Sequence, residues 1–149
     1  MTSEGNALSY GLSKARSAGL LDTSVVIAMA RGLDPELLPD ESFISTITLA
    51  ELSVGPLVAH TLEERMARQL VLQQVEADFT ALPFSAEAAR KYGKIAGALR
   101  ASGRTGRARA FDTLIAAIAS AHDLPIYTAN PTDFDLISDV VVKAVPSPG

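Results

Sequence analysis

Apolar positions along the chain fall into two kinds of segment: short apolar runs and longer runs with helical spacing. The short runs predict strands at 20–21, 42–47, 79–84, 125–129 and 140–145. The longer runs predict helices at 23–30, 49–59, 62–76, 85–101 and 111–123. Because strands alternate with helices, neighbouring strands are expected to pair in parallel. The predicted fold class is therefore α/β, a three-layer α/β/α sandwich around a mainly parallel sheet.

The first 17 residues stand apart from this pattern, since they are rich in Ser, Gly, Asn and Ala and show no clear periodicity. We expect residues 1–17 to form a loose N-terminal extension and residues 18–149 to form a single domain.

The two helices predicted at 49–59 and 62–76 carry a surplus of apolar residues. In the second helix, Leu62, Met66, Leu70 and Val75 are expected near one face. Leu52, Leu57 and Leu62 are expected on an exposed face of the pair, which is more apolar surface than a monomer needs. This pattern predicts a homodimer through that face.

Composition narrows the class of protein. The chain has 149 residues, 48% of them hydrophobic and 20% charged, which is typical of one globular domain. The absence of cysteine excludes disulfides, thiolate catalysis and Cys-based zinc sites. No apolar run reaches the roughly 18 residues of a membrane span, so we expect a cytoplasmic protein without membrane contact. A net charge of -4 argues against a basic surface that wraps nucleic acid.

One carboxylate, Asp22, interrupts the most apolar segment, "AGLLDTSVVIAMARG". It follows a predicted strand directly, and three further acidic residues have related positions: Glu51, Asp112 and Asp133. Each lies near a strand end or a helix start. In open parallel sheets, ligands bind outside the carboxyl ends of the strands, where these acids are expected to converge.

Each acid also has a purely structural interpretation. Asp22 and Asp112 are suited to cap helices, Thr48 with Glu51 fits a capping box, and Asp133 fits an Asx turn. Taken together, however, crowded carboxylates repel one another unless a hard cation such as Mg²⁺ or Mn²⁺ compensates them. Such ions activate water and polarise phosphodiesters, so the sequence predicts metal-dependent hydrolysis of a phosphate ester.

Four segments, "LLDTSVVIA", "STITLAELSVG", "FDTLIAAIA" and "LPIYTANPTDF", carry a family resemblance. In order and spacing the chain resembles the PIN domain, and most closely the VapC-type toxins of bacterial toxin–antitoxin pairs, over roughly residues 19–145. The resemblance implies an endoribonuclease with a Mg²⁺ or Mn²⁺ centre that cuts structured RNA such as tRNA or rRNA. It also implies a VapB-like antitoxin as partner, and it supports a homodimer.

The resemblance assigns the acidic residues to roles. Asp22, Glu51 and Asp112 match the three core acidic positions of the family, as catalytic residues and metal ligands. The fourth position falls either on Asn130, which adds no charge, or on Asp133.

Two hydroxyl residues match supporting positions of the same family. Ser24 resembles the hydroxyl that steadies the acidic cluster, and Thr128 resembles the small hydroxyl residue of the last motif.

A basic segment precedes Asp112, with Arg100, Arg104, Arg107 and Arg109 spaced by Ser and Gly. An acidic pocket repels RNA, so these arginines are predicted to bind its phosphates, with Arg107 and Arg109 the stronger candidates. The alternative is a solvated loop without a ligand.

Two other functions remain open at this point. The same fold without catalysis would make the chain an RNA-binding or regulatory domain, in which the weak fourth position disables cleavage. A receiver-like domain phosphorylated on Asp22 is the second alternative, but the sequence offers no clear partner acid or lysine for it.

Overall fold

A computed structural model describes residues 16–103 and 110–147. The strands are β1 (Ala18–Leu21), β2 (Glu41–Ser45), β3 (Thr80–Leu82), β4 (Ile126–Thr128) and β5 (Val142–Ala144). The helices are α1 (Thr23–Ala30), α2 (Thr46–Val54), α3 (Leu62–Asp78), α4 (Ala86–Ala101) and α5 (Ala110–Ala121). Short 3₁₀ turns occupy Pro35–Leu37, Gly55–Val58 and Pro131–Phe134.

The five strands form one sheet in the order β3-β2-β1-β4-β5, and every neighbouring pair is parallel. This confirms the predicted α/β class with a parallel sheet. Because the chain leaves β1 toward β2 on one side and returns to β4 on the other, the crevice at the carboxyl end of β1 is the switch point of the sheet.

Two hydrophobic clusters cover the two faces of the sheet. Side chains of neighbouring strand residues point to opposite faces, so Leu20 belongs to one cluster and Leu21 to the other. Ile126 and Tyr127 divide in the same way along β4. Helices α4 and α5 supply the first cluster, and α1 and α3 contribute to the second. The layers are those of the predicted sandwich.

Helix α2 begins earlier than the sequence predicts. The Ser45 side chain accepts a hydrogen bond of 3.0 Å from the Thr48 backbone N–H, which makes Ser45 the N-cap residue. The strand predicted over 42–47 therefore ends at Ser45. The helix predicted over 49–59 ends at Val54, where a 3₁₀ turn containing Pro56 takes over because proline cannot continue the hydrogen-bonded helix.

The prediction that four apolar residues of α3 share one face is partly wrong. Val75 is buried, whereas Leu62, Met66 and Leu70 are exposed. The last three are spaced four residues apart and form one stripe, while Val75 lies five residues beyond Leu70 and so about 140° around the helix. Leu52 also differs from expectation, since it packs against the second cluster.

The folded domain includes Ser17, the last residue of the predicted extension. The Glu41 backbone N–H donates a 2.8 Å hydrogen bond to the Ser17 carbonyl, and the Ser17 N–H and hydroxyl contact the Asp40 carboxylate. Residues 1–15 lie outside the described part of the chain. Within the described ranges, no helix is long and apolar enough to cross a membrane.

Candidate acidic site at the carboxyl edge of the sheet

The predicted site residues approach one edge of the sheet. Asp22 follows β1, the helix that carries Glu51 follows β2, and Asn130 follows β4. Asp112 is the third residue of α5, which packs against α2 and leads back to the start of β4. Parallel strands end at the same edge, so the sequence order alone brings these segments together.

Asp22 is buried and accepts four hydrogen bonds from described residues. Its Oδ1 accepts from the backbone N–H groups of Ser24 (2.8 Å) and Val25 (3.3 Å) and from the Ser24 hydroxyl. Its Oδ2 accepts from the Thr128 hydroxyl at 2.7 Å. The interpretation of Asp22 as a helix cap is therefore correct, but the cap also joins β1 to β4. These donors explain how a carboxylate is tolerated inside an apolar run.

The structure brings Ser24 and Thr128 to Asp22. The Ser24 hydroxyl accepts a hydrogen bond of 3.0 Å from the Ala129 N–H and lies 3.4 Å from the Thr128 hydroxyl. The Asn130 N–H donates to Thr128 Oγ1 at 2.9 Å. A single hydroxyl network thus connects the end of β1 with the residues that follow β4.

Glu51 lies in the second turn of α2, where its Oε1 accepts a 2.6 Å hydrogen bond from the Thr23 hydroxyl. The capping box of Thr48 with Glu51 is wrong, because Ser45 caps this helix and Thr48 lies inside it. Sequence reasoning missed Thr23 and Thr48. The available signal was the pair of consecutive hydroxyl residues after Asp22, of which only Ser24 was assigned a role.

The remaining candidate metal ligands, Asp112, Asn130 and Asp133, differ in exposure. Asp112 is half-buried in the first turn of α5 and, as its third residue, is not the N-cap. Asn130 is exposed and begins the 3₁₀ turn, with no capping bond from its side chain. Asp133 is half-buried inside that turn, and its N–H donates to the Asn130 carbonyl at 3.0 Å.

The donor chemistry of Asp22 and Glu51 fits a hard cation. Both offer carboxylate oxygens, and no Lys, Arg or His of residues 16–103 and 110–147 forms an ion pair with either one. As the side chains lie, however, no three His, Cys, Asp or Glu residues of these ranges form a group that could hold a metal ion. Metal binding by Asp22, Glu51 and Asp112 stays a prediction.

The predicted RNA-binding arginines lie largely beyond these ranges. Arg104, Arg107 and Arg109 fall outside the described residues. Arg100 is exposed in the last turn of α4.

Comparison with known proteins places the chain in a family. The family model of the PIN domain matches residues 19–139. Ribonuclease VapC5 of Mycobacterium tuberculosis is 43% identical over 119 residues, which are 78% of this chain and 86% of that protein. Ribonuclease VapC of Rickettsia bellii is 34% identical over 132 residues, which are 85% of this chain and 96% of that protein. This chain belongs to the PIN-domain family.

A solved structure supports the same assignment. The crystal structure of VapBC-5 from Mycobacterium tuberculosis, a member of the VapBC family of toxin–antitoxin systems, matches with a TM-score of 0.75 and 40% sequence identity. The match covers 87% of this chain and 99% of that one. The resemblance to VapC-type PIN domains, expected from four sequence segments, is therefore confirmed.

Proposed function

We propose that this protein is a metal-dependent endoribonuclease toxin of a type II toxin–antitoxin pair. The observation that carries the proposal is the pair Asp22 and Glu51, each held by hydroxyl groups at the switch point of the sheet, without a cationic side chain of the described residues paired to either. Its relatives are named ribonucleases. Two fixed carboxylates without a paired cationic side chain suit metal-dependent hydrolysis of RNA phosphodiesters.

Mg²⁺ or Mn²⁺ is the proposed cofactor. Asp22, Glu51 and Asp112 would hold the ion, with Asn130 or Asp133 completing its ligands. When bound, such an ion supplies an activated water molecule and stabilises charge on the phosphodiester. The hydroxyl network of Ser24 and Thr128 fixes the Asp22 carboxylate, so this ligand does not have to be ordered when the ion arrives.

Structured RNA such as tRNA or rRNA is the proposed substrate. The chain carries a net charge of -4, and its acidic edge repels phosphates. Productive binding therefore needs local positive charge, which we assign to Arg104, Arg107 and Arg109. A cytoplasmic location fits this substrate and the absence of cysteine.

A VapB-like antitoxin is the proposed protein partner. The support is the match to VapBC-5, a member of a toxin–antitoxin family. An antitoxin would keep the nuclease inactive in the cell, so the isolated chain is the form to assay.

The exposed stripe of α3 is the proposed homodimer surface. Leu62 is 72% exposed at the start of the stripe, and Leu57 of the preceding 3₁₀ turn is 76% exposed. Leu57, Met66 and Leu70 line a groove of about 710 Å³. Both signs of charge border the stripe, at Glu63 and Arg65, so a second copy related by a twofold axis can oppose unlike charges. We therefore assign this surface to a second copy of the chain.

Sedimentation of the purified chain tests the dimer. The wild type is expected to sediment as a dimer, and Leu57→Glu combined with Met66→Glu is expected to give a folded monomer. The matched control is Leu136→Glu, an exposed leucine outside the stripe. A wild-type monomer whose antitoxin binding is abolished by the double substitution would assign the surface to the antitoxin instead.

RNA cleavage tests the nuclease. Purified, antitoxin-free protein is incubated with total tRNA and rRNA in Mg²⁺, Mn²⁺ or EDTA, beside Asp112→Asn. Discrete products are expected with either metal and not with EDTA, and the substitution should lower the rate by at least about 100-fold, as the loss of a group that stabilises a transition state does. RNA binding without products in any metal would favour the alternative, a non-cleaving RNA-binding or regulatory domain.

A further inference from the structure

Three hydroxyl groups form a chain that ends on the Glu51 carboxylate. Ser45 Oγ lies 3.4 Å from Thr48 Oγ1, which lies 2.9 Å from Thr23 Oγ1. Thr23 Oγ1 is in turn 2.6 Å from Glu51 Oε1. Ser45 and Thr48 are completely buried. The chain joins the β1–α1 junction to the β2–α2 junction.

The Thr23 hydroxyl has two acceptors within reach, Glu51 Oε1 and Thr48 Oγ1. A hydroxyl has one proton to donate and accepts with its lone pairs. The Thr23 proton goes to the carboxylate, since a charged acceptor at 2.6 Å is the stronger one. The second acceptor within reach of the Thr23 hydroxyl is Thr48 Oγ1 at 2.9 Å, which also accepts from the Ser45 hydroxyl at 3.4 Å. The strongest bond of this group is therefore the one from the Thr23 hydroxyl to Glu51 Oε1.

The two residues after Asp22 act on different carboxylates. Ser24 bonds Asp22 itself, whereas Thr23 bonds Glu51, which lies 28 residues further along the chain. A glutamate side chain has several rotatable torsions, so a fixed donor selects one orientation. Among the described residues no donor contacts Oε2, so this oxygen stays available for a ligand while Oε1 is occupied.

We propose that Thr23 is a positioning residue, which holds the Glu51 carboxylate by Oε1 and presents Oε2 to the cation. The proposal rests on the proposed function in one respect, namely that Glu51 is a metal ligand. Thr23 itself touches neither the ion nor the RNA. Its role is exerted through Glu51, and Ser45 and Thr48 support it.

Three variants of Thr23 separate the hydroxyl from the rest of the side chain, and a fourth variant is the control. Thr23→Val keeps the shape of the side chain and removes the donor, Thr23→Ala removes both the donor and the methyl group, and Thr23→Ser keeps the donor alone. The control is Thr80→Val, at an exposed position of β3 remote from the site. The melting temperature of each variant is recorded, so that loss of folding is recognised independently.

Mn²⁺ affinity, measured by electron paramagnetic resonance without RNA, is the first readout. Loss of a residue that orients a metal ligand typically weakens metal binding by about 10- to 100-fold, and we expect a loss in this range for Thr23→Val and Thr23→Ala. Thr23→Ser should stay within about threefold of the wild type on the same argument. In cleavage assays kcat should fall in parallel while KM for RNA is unchanged. Thr23→Ser binding Mn²⁺ as weakly as Thr23→Val would overturn the proposal, because the methyl group would then be the relevant part.

Crystal structures of the metal-free wild type and Thr23→Val supply the second readout. We expect the Glu51 carboxylate to leave its position in the variant. If the wild type neither binds Mn²⁺ nor cleaves RNA, yet Glu51 is displaced in Thr23→Val, the proposed nuclease function fails and the positioning by Thr23 stands. If Glu51 keeps its position in Thr23→Val, the positioning role is refuted whatever the activity of the wild type.

Discussion

The Thr128 hydroxyl donates a 2.7 Å hydrogen bond to Asp22 Oδ2, although 106 residues separate the two in sequence. Thr128 ends β4 and Asp22 follows β1, and these two strands are neighbours in the sheet. The bond therefore links the carboxyl ends of these two strands. It also fixes the Asp22 carboxylate at the edge of the sheet where ligands bind in this class of fold.

Removing the Thr128 hydroxyl should destabilise the protein. Thr128→Val leaves a buried carboxylate oxygen without its donor and the Asn130 N–H without its acceptor, a loss of about 1–3 kcal/mol in the free energy of unfolding. Urea denaturation at neutral pH measures it. Thr128→Ser, which keeps the hydroxyl, should lose less, and Thr132→Val at an exposed position should change stability little. Equal stability of Thr128→Val and Thr132→Val would contradict the prediction.

Gly19 allows β1 to pass beneath the Tyr127 ring. A Cβ at this position would lie 2.6 Å from Tyr127 Cδ1, and both residues are buried in the sheet. Gly19→Ala should lower the free energy of unfolding by about 1–3 kcal/mol through overpacking. Gly97→Ala is the opposite case, since nothing lies within 4 Å of the added Cβ in α4, and it should raise stability by about 0.5–1 kcal/mol. Thermal unfolding of the two variants should therefore shift in opposite directions.

Variants of Asn130 and Asp133 test which of the two residues supplies the fourth metal ligand. Asn130 lies two residues after Thr128, and its N–H binds the same hydroxyl that holds Asp22. Asn130→Asp adds a carboxylate at this edge and should raise Mn²⁺ affinity several-fold, because affinity for hard cations grows with ligand charge. Calorimetry without RNA measures it. A decrease in affinity for Asp133→Asn, with no change for Asn130→Asp, would assign the position to Asp133.

Arg107 and Arg109 are expected to bind RNA phosphates. Replacing both with Ala should lower RNA affinity and flatten its dependence on salt. For each phosphate that is no longer neutralised, the slope of log K against log salt should fall by about 0.7–0.9. Filter binding over a series of salt concentrations, with the catalytically impaired Asp112→Asn background, provides the measurement. An unchanged slope would remove these arginines from the RNA-binding surface.

Much of the fold can be predicted from the sequence because it depends on interactions between residues close together along the chain. The bounds predicted for α1 agree with the structure at both ends, and the helix predicted to open at Ser85 is capped by that residue. The alternation of strands and helices was sufficient for the parallel sheet. Helix caps and apolar spacing act within a few residues, so they can be recognised without knowing what packs against them.

Errors arose where two local signals competed. Thr48 with Glu51 has the spacing of a capping box, but Ser45 three residues earlier caps the helix instead. Val75 was also grouped with the exposed residues Leu62, Met66 and Leu70, yet it is buried on another face of α3. Spacing shows that residues share a face, and it does not show which face the rest of the molecule covers.

The sequence by itself determined the class of fold and the order of its segments, and this order brings the ends of β1 and β4 and the start of α2 to one edge of the sheet. Only the tertiary structure decided which hydroxyl serves which carboxylate: Ser24 and Thr128 bond Asp22, and Thr23 bonds Glu51. The physical reason is the separation in sequence between the residues that interact. Hydrophobic spacing and helix capping depend on neighbours along the chain. The bonds from Thr128 to Asp22 and from Thr23 to Glu51 depend instead on the register of β1 against β4 and β2, which is set by packing on both faces of the sheet.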